Sequence, residues 1–212
     1  MSNRPLVSRF LGKKPYQETW DAMKVFTDTR GESTLDECWI VEHPPVFTLG
    51  QAGKPEHILH SSDIPIVKTD RGGQVTYHGP GQIMGYCLFD LKRLKIGVRE
   101  LVSLIEQSVI DLLADLAIQG KRKEGAPGIY VEEKKISSIG LRVRKGCSYH
   151  GVAINLAMDL SPFLQINPCG YPGMEVVNIQ ELINDSLTFD AAARIWLEKL
   201  AGNFGFELVN SH

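Results

Sequence analysis

Residues 128–156 read GIYVEEKKISSIGLRVRKGCSYHGVAINL, and they carry the clearest indication of the fold. Residues 128–131, 135–143 and 147–156 each have the apolar and β-branched character of a strand. The spacers between them, EEK and RKG, are short enough to join antiparallel neighbours. The stretch therefore predicts two consecutive β-hairpins.

The rest of the chain adds strands and helices around these hairpins. Apolar spacing predicts helices at 15–29, 98–118, 178–183 and 190–200, with Gly120 as the stop of the second. Further strands are predicted at 38–42, 46–49, 64–69, 83–89 and 206–209. Because strands come mostly in hairpins rather than alternating with helices, we expect an α+β fold: a mixed, largely antiparallel β-sheet with flanking helices in a single domain, residues 1–212.

The composition is ordinary for a globular protein. Of 212 residues, 43% are hydrophobic and 23% are charged, and the formal net charge is −2. Such a balance gives no case for binding nucleic acid or a membrane surface. No apolar run approaches the ~20 residues that span a bilayer, and the first residues lack the apolar core of a secretory signal. We therefore expect a cytoplasmic protein with reduced cysteines; none of the four has metal-ligand spacing, so no metal site is expected.

A glycine-rich segment at 71–82, RGGQVTYHGPGQ, is predicted to be a ligand-facing loop. It holds four glycines in twelve positions. Glycine loses more backbone entropy on folding than any other residue, so such a cluster needs a use. Positive φ angles, close approach of a ligand and N–H groups that cradle an anion are the usual ones. Predicted strands flank the segment, as expected of a functional loop on a rigid scaffold.

Among the cysteines, Cys169 has the setting of a nucleophile. It lies in INPCGYPG, where prolines and glycines fix the backbone. A rigid turn presents the thiol, and Gly170 would let the following N–H approach a reacting carbonyl. A loop cysteine that merely packs is the alternative. Cys38 and Cys87 lie in apolar strands and are expected to be buried packing residues, whereas Cys147 is ambiguous.

A cysteine nucleophile needs a helper, because the thiolate rather than the thiol attacks. His78 in the glycine-rich segment and His150 in SYHG are the histidines in segments that could form a site. Lys135 begins KISSIG, where small residues suggest a strand that lines a pocket, but sequence alone does not distinguish it from Lys134 or Lys145. Three histidines are expected at the surface: His57, His60 and His212.

Three basic clusters are expected to be solvated faces, and one of them could steer an acidic protein partner. They are Lys92-Arg93-Lys95, Lys121-Arg122-Lys123 and Arg142-Arg144-Lys145.

Three motifs, in this order and spacing, resemble the octanoyltransferases of lipoate biosynthesis, also called lipoyl(octanoyl) transferases. They are RGGQVTYHGPGQIMGY, KISSIGLRVRKGCSYHGVAIN and FLQINPCGYPGM, and WIVEHPPVFTLGQAGKPEHIL resembles the family's upstream segment. The resemblance covers nearly the whole chain. It implies the fold of the biotin and lipoate protein ligases, a mixed sheet with flanking helices.

The resemblance also implies roles for individual residues. Cys169 matches the acyl-thioester nucleophile, and Lys135 matches its partner lysine, which favours the thiolate and shuttles protons. Other positions match the segments that surround the acyl substrate: Arg71, Gly72, Gly73, Gln74, Val75, Thr76, Tyr77, His78, Ser138, Ile139, Gly140, Gly151, Val152 and Ala153.

The implied reaction is a ping-pong transfer. The octanoyl group arrives as a thioester on the phosphopantetheine of acyl carrier protein and passes through Cys169. It ends on a specific lysine of a lipoyl domain, in the E2 subunits of 2-oxoacid dehydrogenases or in the glycine cleavage H protein. Because thioester-to-amide transfer runs downhill, no cofactor, ATP or metal is implied.

Three other functions remain open on the residues. An ATP-dependent lipoate or biotin ligase would activate a free acid and would need no cysteine. A cysteine amidohydrolase or peptidase would use Cys169 with His78 or His150. A non-catalytic binder of acyl carrier or lipoyl domains would form no adduct on Cys169.

Overall fold

The computed structural model describes residues 4–60 and 62–210, so His212 lies outside the described residues. The helices are α1 (Tyr16–Thr29), α2 (Leu91–Leu94), α3 (Val98–Asp115) and α4 (Phe189–Phe204). The strands are β1 (Arg4–Lys13), β2 (Asp36–Glu42), β3 (Val46–Leu49), β4 (Ile66–Lys68), β5 (Val75–His78), β6 (Gln82–Leu88), β7 (Gly120–Arg122), β8 (Gly128–Val131), β9 (Lys134–Arg144), β10 (Cys147–Asn155) and β11 (Phe206–Asn210).

Eight strands form one sheet in the order β11-β1-β2-β6-β10-β9-β8-β7, and β4-β3-β5 form a small second sheet. In the large sheet β1 runs parallel to β2 and β11, and the other neighbours are antiparallel. The predicted α+β class, with a mixed and largely antiparallel sheet, is confirmed. The hairpins β8-β9-β10 are those expected from residues 128–156.

Alternation along the central strands divides the core between the two faces of the large sheet. Val152 and Ile154 of β10 pack with α3 and α4 on one face, around the fully buried Trp196. Ala153 and its neighbour Met84 on β6 pack on the other face, which α1 covers. Small side chains leave room for a cavity on this second side.

The structure corrects the interpretation of the glycine-rich segment. Residues 71–82 are not one loop, because Val75–His78 forms strand β5, antiparallel to β3. The four residues VTYH have strand propensity, and Tyr77 is buried against Phe47 and Phe163. Loops remain on both sides of this strand, at 71–74 and 79–81.

Two further predictions are corrected, and one strand is additional to those predicted. Gly120 does not stop α3: the helix ends at Asp115, Ala117 takes a positive φ of 58°, and Gly120 begins β7. Residues 178–183 hold only a 3-10 turn, Ile179–Glu181, which Asn178 caps. Strand β1 was not predicted, because its alternation is weak and its burial comes from pairing with distant segments.

Candidate active site

Lys135 reaches the site because β9 carries a β-bulge. Ile129 pairs with Ser137 but Tyr130 pairs with Lys135, so Ile136 is the extra residue. A bulge reverses the alternation of side chains beyond it. Ile136 therefore lies fully buried in the core on the α3 side, while Lys135 lines the cavity on the other side of the sheet.

Gly128 leaves the space through which the Lys135 side chain passes. A Cβ built on Gly128 would lie 2.8 Å from Lys135 Cε and would collide with the Ser137 carbonyl oxygen. Its φ of +120° also disfavours any L-residue. Its N–H donates to Glu106 Oε1 at 3.0 Å, and Glu106 is paired with Arg122. Glu106 on α3 therefore holds Gly128 in place, and Gly128 leaves the space that the Lys135 side chain occupies.

Cys169 lies on a 3-10 turn, Pro168–Gly170, with a left-handed backbone (φ 56°, ψ 15°). A non-glycine residue in this conformation costs about 1 kcal/mol or more, so the surrounding structure must hold it. The Gly170 N–H donates to the Asn167 carbonyl at 2.9 Å. The Tyr171 N–H likewise donates to the Pro168 carbonyl at 3.0 Å. This corrects the expectation that the amide following Gly170 is free to act as an oxyanion donor, since the turn itself uses it.

The two candidate catalytic side chains meet. Lys135 Nζ lies 3.2 Å from Cys169 Sγ, although the residues are 34 positions apart. Lys135 is almost fully buried and Cys169 is partly exposed at the cavity. The contact places a primary amine within hydrogen-bonding distance of a sulfur at the wall of the cavity.

His57 supports the Cys169 turn, whereas it was expected at the surface. Its carbonyl accepts a hydrogen bond from the Asn167 N–H at 2.8 Å, and its ring packs beside Gly170. The ring is half-buried. No local signal could reveal this contact, because it joins residues 110 positions apart.

Arg71 braces the first loop of the glycine-rich segment from within. Its guanidinium is buried and donates to the carbonyl oxygens of Thr48 (2.6 Å), Gly72 (2.9 Å) and Gln74 (2.8 Å). The Gly72 N–H in turn donates to the Leu141 carbonyl at 2.9 Å and so covers the edge of β9. Arg71 therefore shapes the cavity wall, and these bonds leave little of it for a substrate.

A second buried network fixes His150 in the cavity wall. Asp70 accepts hydrogen bonds from His150 Nε2 (2.9 Å), Trp20 Nε1 (2.9 Å) and the Tyr149 hydroxyl. Partial burial opposes ionisation of Asp70, but these donors outweigh it and hold the pKa of the carboxyl well below its usual range. Burial lowers the pKa of His150, against the opposing effect of Asp70. The ring Nδ1 is left facing the Tyr16 hydroxyl at 3.4 Å.

These elements enclose a cavity of about 370 Å³, within the usual range for a small-molecule site. It holds Cys169, Lys135 and most positions matched to the acyl site: Arg71, Gly72, Gly73, Gln74, Val75, Thr76, His78, Ser138, Ile139, Gly140, Gly151 and Ala153. The structure does not bring Tyr77 and Val152 to it. Tyr77 packs against Phe163, and Val152 lies in the core under α3 and α4.

The cavity also contains residues that sequence reasoning missed. Its further lining comprises Tyr16, Met84, Tyr86, Val98, Val102, Gly125, Ala126, Pro127, Leu141 and Tyr171. They come from α1, β6, α3, β9 and two loops, and only the tertiary fold brings them together. Most are apolar or aromatic, so the cavity is suited to an alkyl chain.

Comparisons with known proteins establish the family of the chain. The family model described as the lipoyl protein ligase A/B catalytic domain matches residues 15–201. An octanoyltransferase from Aliivibrio fischeri is 57% identical over 191 residues, which cover 90% of this chain and 85% of that protein. The chain belongs to the octanoyltransferase family. It is therefore an acyltransferase, and Cys169 and Lys135 lie in the cavity of an enzyme of this class.

Solved structures of other proteins have the same fold as this octanoyltransferase. Lipoate-protein ligase A bound with ATP superposes with a TM-score of 0.78 at 15% identity, covering all of this chain and 90% of that one. A biotin protein ligase from Aquifex aeolicus gives a TM-score of 0.56 at 12% identity, covering 96% of this chain and 70% of that one. The predicted similarity to biotin and lipoate protein ligases is confirmed for the fold.

Neither a membrane-crossing helix nor a cluster of metal-ligating side chains is found in residues 4–60 and 62–210. No helix in these ranges is long and apolar enough to cross a bilayer. No group of three or more His, Cys, Asp or Glu side chains there is arranged to hold a metal ion.

Replacing Gly128 by alanine is expected to slow octanoyl transfer by at least about tenfold, because a Cβ in contact with Lys135 Cε displaces the ammonium from Cys169. The iodoacetamide alkylation rate of Cys169 at neutral pH should fall in parallel. Gly12→Ala is the control, since Gly12 also has a positive φ (67°) but no atom lies within 4 Å of its built Cβ. A folded Gly128→Ala protein with an unchanged alkylation rate would contradict this role.

Acid is expected to destabilise the octanoyltransferase fold through two buried histidines. Burial lowers the pKa of His43 to about 4 and of His78 to about 3, from the usual 6.5. Below pH 6.5 the unfolded chain therefore binds protons that the folded protein excludes, so protons favour unfolding. The contribution of these histidines to the free energy of unfolding is fully present above pH 6.5. It falls toward pH 4 by about 1.4 kcal/mol per pH unit for each histidine.

Urea unfolding at pH 7 and pH 5 measures this loss. His43→Gln should flatten the dependence on pH, whereas His60→Gln, at an exposed position, should leave it unchanged. A urea midpoint that is the same at both pH values would show that these rings are not neutral in the folded state at pH 5.

Proposed function

We propose that the enzyme transfers an octanoyl or lipoyl group from acyl carrier protein to a specific lysine of lipoyl domains, as a first step of protein lipoylation. The acyl group passes through a thioester on Cys169. The observation that carries the proposal is the 3.2 Å contact between Lys135 Nζ and Cys169 Sγ at an apolar cavity. Octanoyltransferases at 57% identity support the octanoyl group as the cargo.

In the first half-reaction the Cys169 thiolate attacks the carbonyl carbon of the octanoyl thioester. The new Cys169 S–C bond forms as the bond to the phosphopantetheine sulfur breaks. The departing thiolate takes a proton from the Lys135 ammonium, within reach of the reacting sulfur. The products are the acyl-enzyme, a free carrier thiol and a neutral Lys135.

In the second half-reaction neutral Lys135 accepts a proton from the incoming ε-ammonium of the acceptor. The resulting amine attacks the acyl-Cys169 carbonyl, an amide bond forms, and the Cys169 thiolate leaves. The amide nitrogen releases its second proton to solvent. The pair returns to thiolate and ammonium, so one lysine serves as acid and then as base.

Main-chain amides of the first glycine loop are proposed to stabilise the tetrahedral oxyanions. The Gly170 amide is bonded within its own turn. The N–H groups of Gly73 and Gln74 have no hydrogen-bond partner among the described residues, and both residues line the cavity. Preorganised donors aimed at the developing charge of the transition state contribute strongly to the rate of acyl transfer.

The alkyl chain is proposed to extend from Cys169 along the sheet, past Ser138 toward Met84. Ser138 pairs with Ala153, and Ala153 pairs with Met84, so these three side chains follow one row across β9, β10 and β6. Ser138 and Ala153 are small, which leaves the row open. Full burial of an eight-carbon chain would contribute roughly 5 kcal/mol at ~0.8 kcal/mol per methylene.

The acceptors are proposed to be the lipoyl domains of 2-oxoacid dehydrogenase E2 subunits and of the glycine cleavage H protein. No ATP, metal or other cofactor is proposed, because the donor thioester already lies uphill of the product amide. The acidic acyl carrier would dock on basic residues not used in ion pairs. Arg93, Arg144 and Lys145 are already paired with Asp36 or Asp28.

A transfer assay without ATP tests this function. Octanoyl-acyl carrier protein and a lipoyl domain, mixed with the enzyme, should yield lipoyl domain heavier by one octanoyl group. Free octanoate with Mg-ATP in place of the thioester should yield none. Product only in the second mixture would assign the protein to the ATP-dependent ligases, and hydrolysis of the thioester without transfer would assign it to the hydrolases.

A further inference from the structure

The cavity of about 370 Å³ that holds Cys169 and Lys135 is called the acyl cavity below. A second cavity of about 430 Å³ adjoins it, and Ala126 and Tyr171 line both. We name it the side passage; its polar and aromatic walls are Lys123, Glu124, Tyr130, Glu133, Tyr171 and Glu175. Two of these walls lie close to the candidate catalytic residues. Tyr171 lies two residues beyond Cys169, and the Tyr130 ring centroid is 5.3 Å from Lys135 Nζ.

Tyr130 has an unmet hydrogen-bonding need in this wall. Its side chain is almost fully buried, at 3% exposure, and its hydroxyl has no hydrogen-bond partner among the described residues. A buried hydroxyl without a partner is costly, so it indicates a group that arrives from outside. The hydroxyl can accept a hydrogen bond from an ammonium or an amine that enters beneath the 171–175 loop.

The charge of the side passage favours a cation. Glu124 and Glu175 are exposed at its rim, and neither carboxylate forms an ion pair within residues 4–60 and 62–210. Lys123 shows that the wall accommodates a primary ammonium. Its Nζ lies 3.1 Å from Glu133 Oε2 and 5.6 Å from the centroid of the Tyr130 ring. With Lys123 and Glu133 neutralising one another, the rim keeps two negative charges.

We propose that the side passage admits the acceptor lysine, whose ε-ammonium is drawn by Glu124 and Glu175 and held by the Tyr130 hydroxyl. The inference rests on the proposed function, because it assumes an acyl group already on Cys169. An acyl chain that fills the first cavity leaves this second opening for the nucleophile. From Tyr130 the ammonium lies beside Lys135, which takes its proton before the amine attacks.

An acidic carrier protein is a poorer fit to the same rim, because its charge has the sign of Glu124 and Glu175. The donor's arm would then enter elsewhere, and the two half-reactions would depend on different residues. This difference provides the test, since each half-reaction is measured alone.

The experiment compares Tyr130→Phe and the double variant Glu124→Gln/Glu175→Gln with wild type. Acylation of Cys169 by octanoyl-acyl carrier protein is followed by intact mass. The isolated acyl-enzyme is then mixed with lipoyl domain. We expect acylation to stay within about twofold of wild type and transfer to lipoyl domain to slow by at least about tenfold in each variant.

Three controls distinguish a loss of acceptor binding from a loss of stability or of acyl-enzyme reactivity. The variant Glu32→Gln/Glu198→Gln changes the charge equally at exposed positions away from the passage, and it should transfer normally. Hydroxylamine, a small uncharged nucleophile, should cleave the acyl-enzyme of Tyr130→Phe as fast as that of wild type. The melting temperature of Tyr130→Phe should not fall, because its hydroxyl has no partner to lose.

Equal slowing of both half-reactions would overturn the proposal and assign the passage to the donor's arm. Unchanged transfer in both variants would overturn it as well. Failure of wild type to form any acyl-enzyme would instead refute the proposed function, and that step is read before the variants are compared.

Discussion

Cys169→Ala is expected to fold normally and to lose octanoyl transfer by at least about 10⁴-fold, because Cys169 is the only thiol among the residues that line the cavity. The loss should appear in kcat rather than in the binding of either partner. The structure predicts little cost in stability, since Cys169 is partly exposed and its backbone is already held in a strained conformation. A transfer assay and a melting curve measure the two effects.

Cys147→Ala is the matched control for this loss. Cys147 is also a free thiol, but it lies buried at the start of β10, outside the acyl cavity. That variant should transfer at the wild-type rate once its stability is allowed for. Substantial transfer by folded Cys169→Ala protein would contradict this role. It would indicate that the acceptor lysine attacks the acyl carrier protein thioester directly.

Lys135→Met is expected to slow transfer by about 10²- to 10⁴-fold, the usual range for a lost acid–base group. Methionine keeps much of the lysine's length and apolar stem, so the buried path past Gly128 stays filled. Both half-reactions should suffer. The first loses the cation beside the sulfur, and the second loses the base that deprotonates the incoming ammonium.

Lys134→Met, one residue earlier and exposed, is the control for the loss of a positive charge. It should leave the iodoacetamide alkylation rate of Cys169 at neutral pH unchanged, whereas Lys135→Met should lower it. Equal alkylation rates in the two variants would show that Lys135 does not favour the thiolate. Any slowing of octanoyl transfer in Lys135→Met would then require another explanation.

Local sequence was sufficient for the central fold. The hairpins of residues 128–156 follow from strand propensity joined by short spacers, and α1 and α3 follow from apolar periodicity. These signals act between residues close in sequence. The N-terminal strand β1 escaped for the opposite reason, because its partners β2 and β11 lie about thirty and two hundred residues away.

The position of Lys135 in the site follows from tertiary geometry rather than from local sequence. From the residues alone Lys135 could not be separated from Lys134 or Lys145, and the resemblance supplied the choice. The structure adds its physical reason, a bulge at Ile136 that reverses the alternation of β9. Simple alternation would have turned Lys135 to the face of Ser137, away from Cys169.

The supporting residues could not be predicted because their contacts cross long stretches of chain. His57 steadies the Cys169 turn from 110 positions away, and Glu106 on α3 fixes Gly128. No sequence motif predicts the contacts that either residue makes. The matched positions Tyr77 and Val152 show a second limit. A motif marks a segment, while tertiary packing decides which of its side chains line the cavity.

Intact-mass measurement of the protein after brief incubation with octanoyl-acyl carrier protein, without acceptor, tests the thioester on Cys169 most directly. Wild type should gain the mass of one octanoyl group, removable by hydroxylamine, and Cys169→Ala should gain none. An adduct of the same mass on Cys169→Ala, or none on wild type under conditions that support transfer, would contradict a mechanism through Cys169.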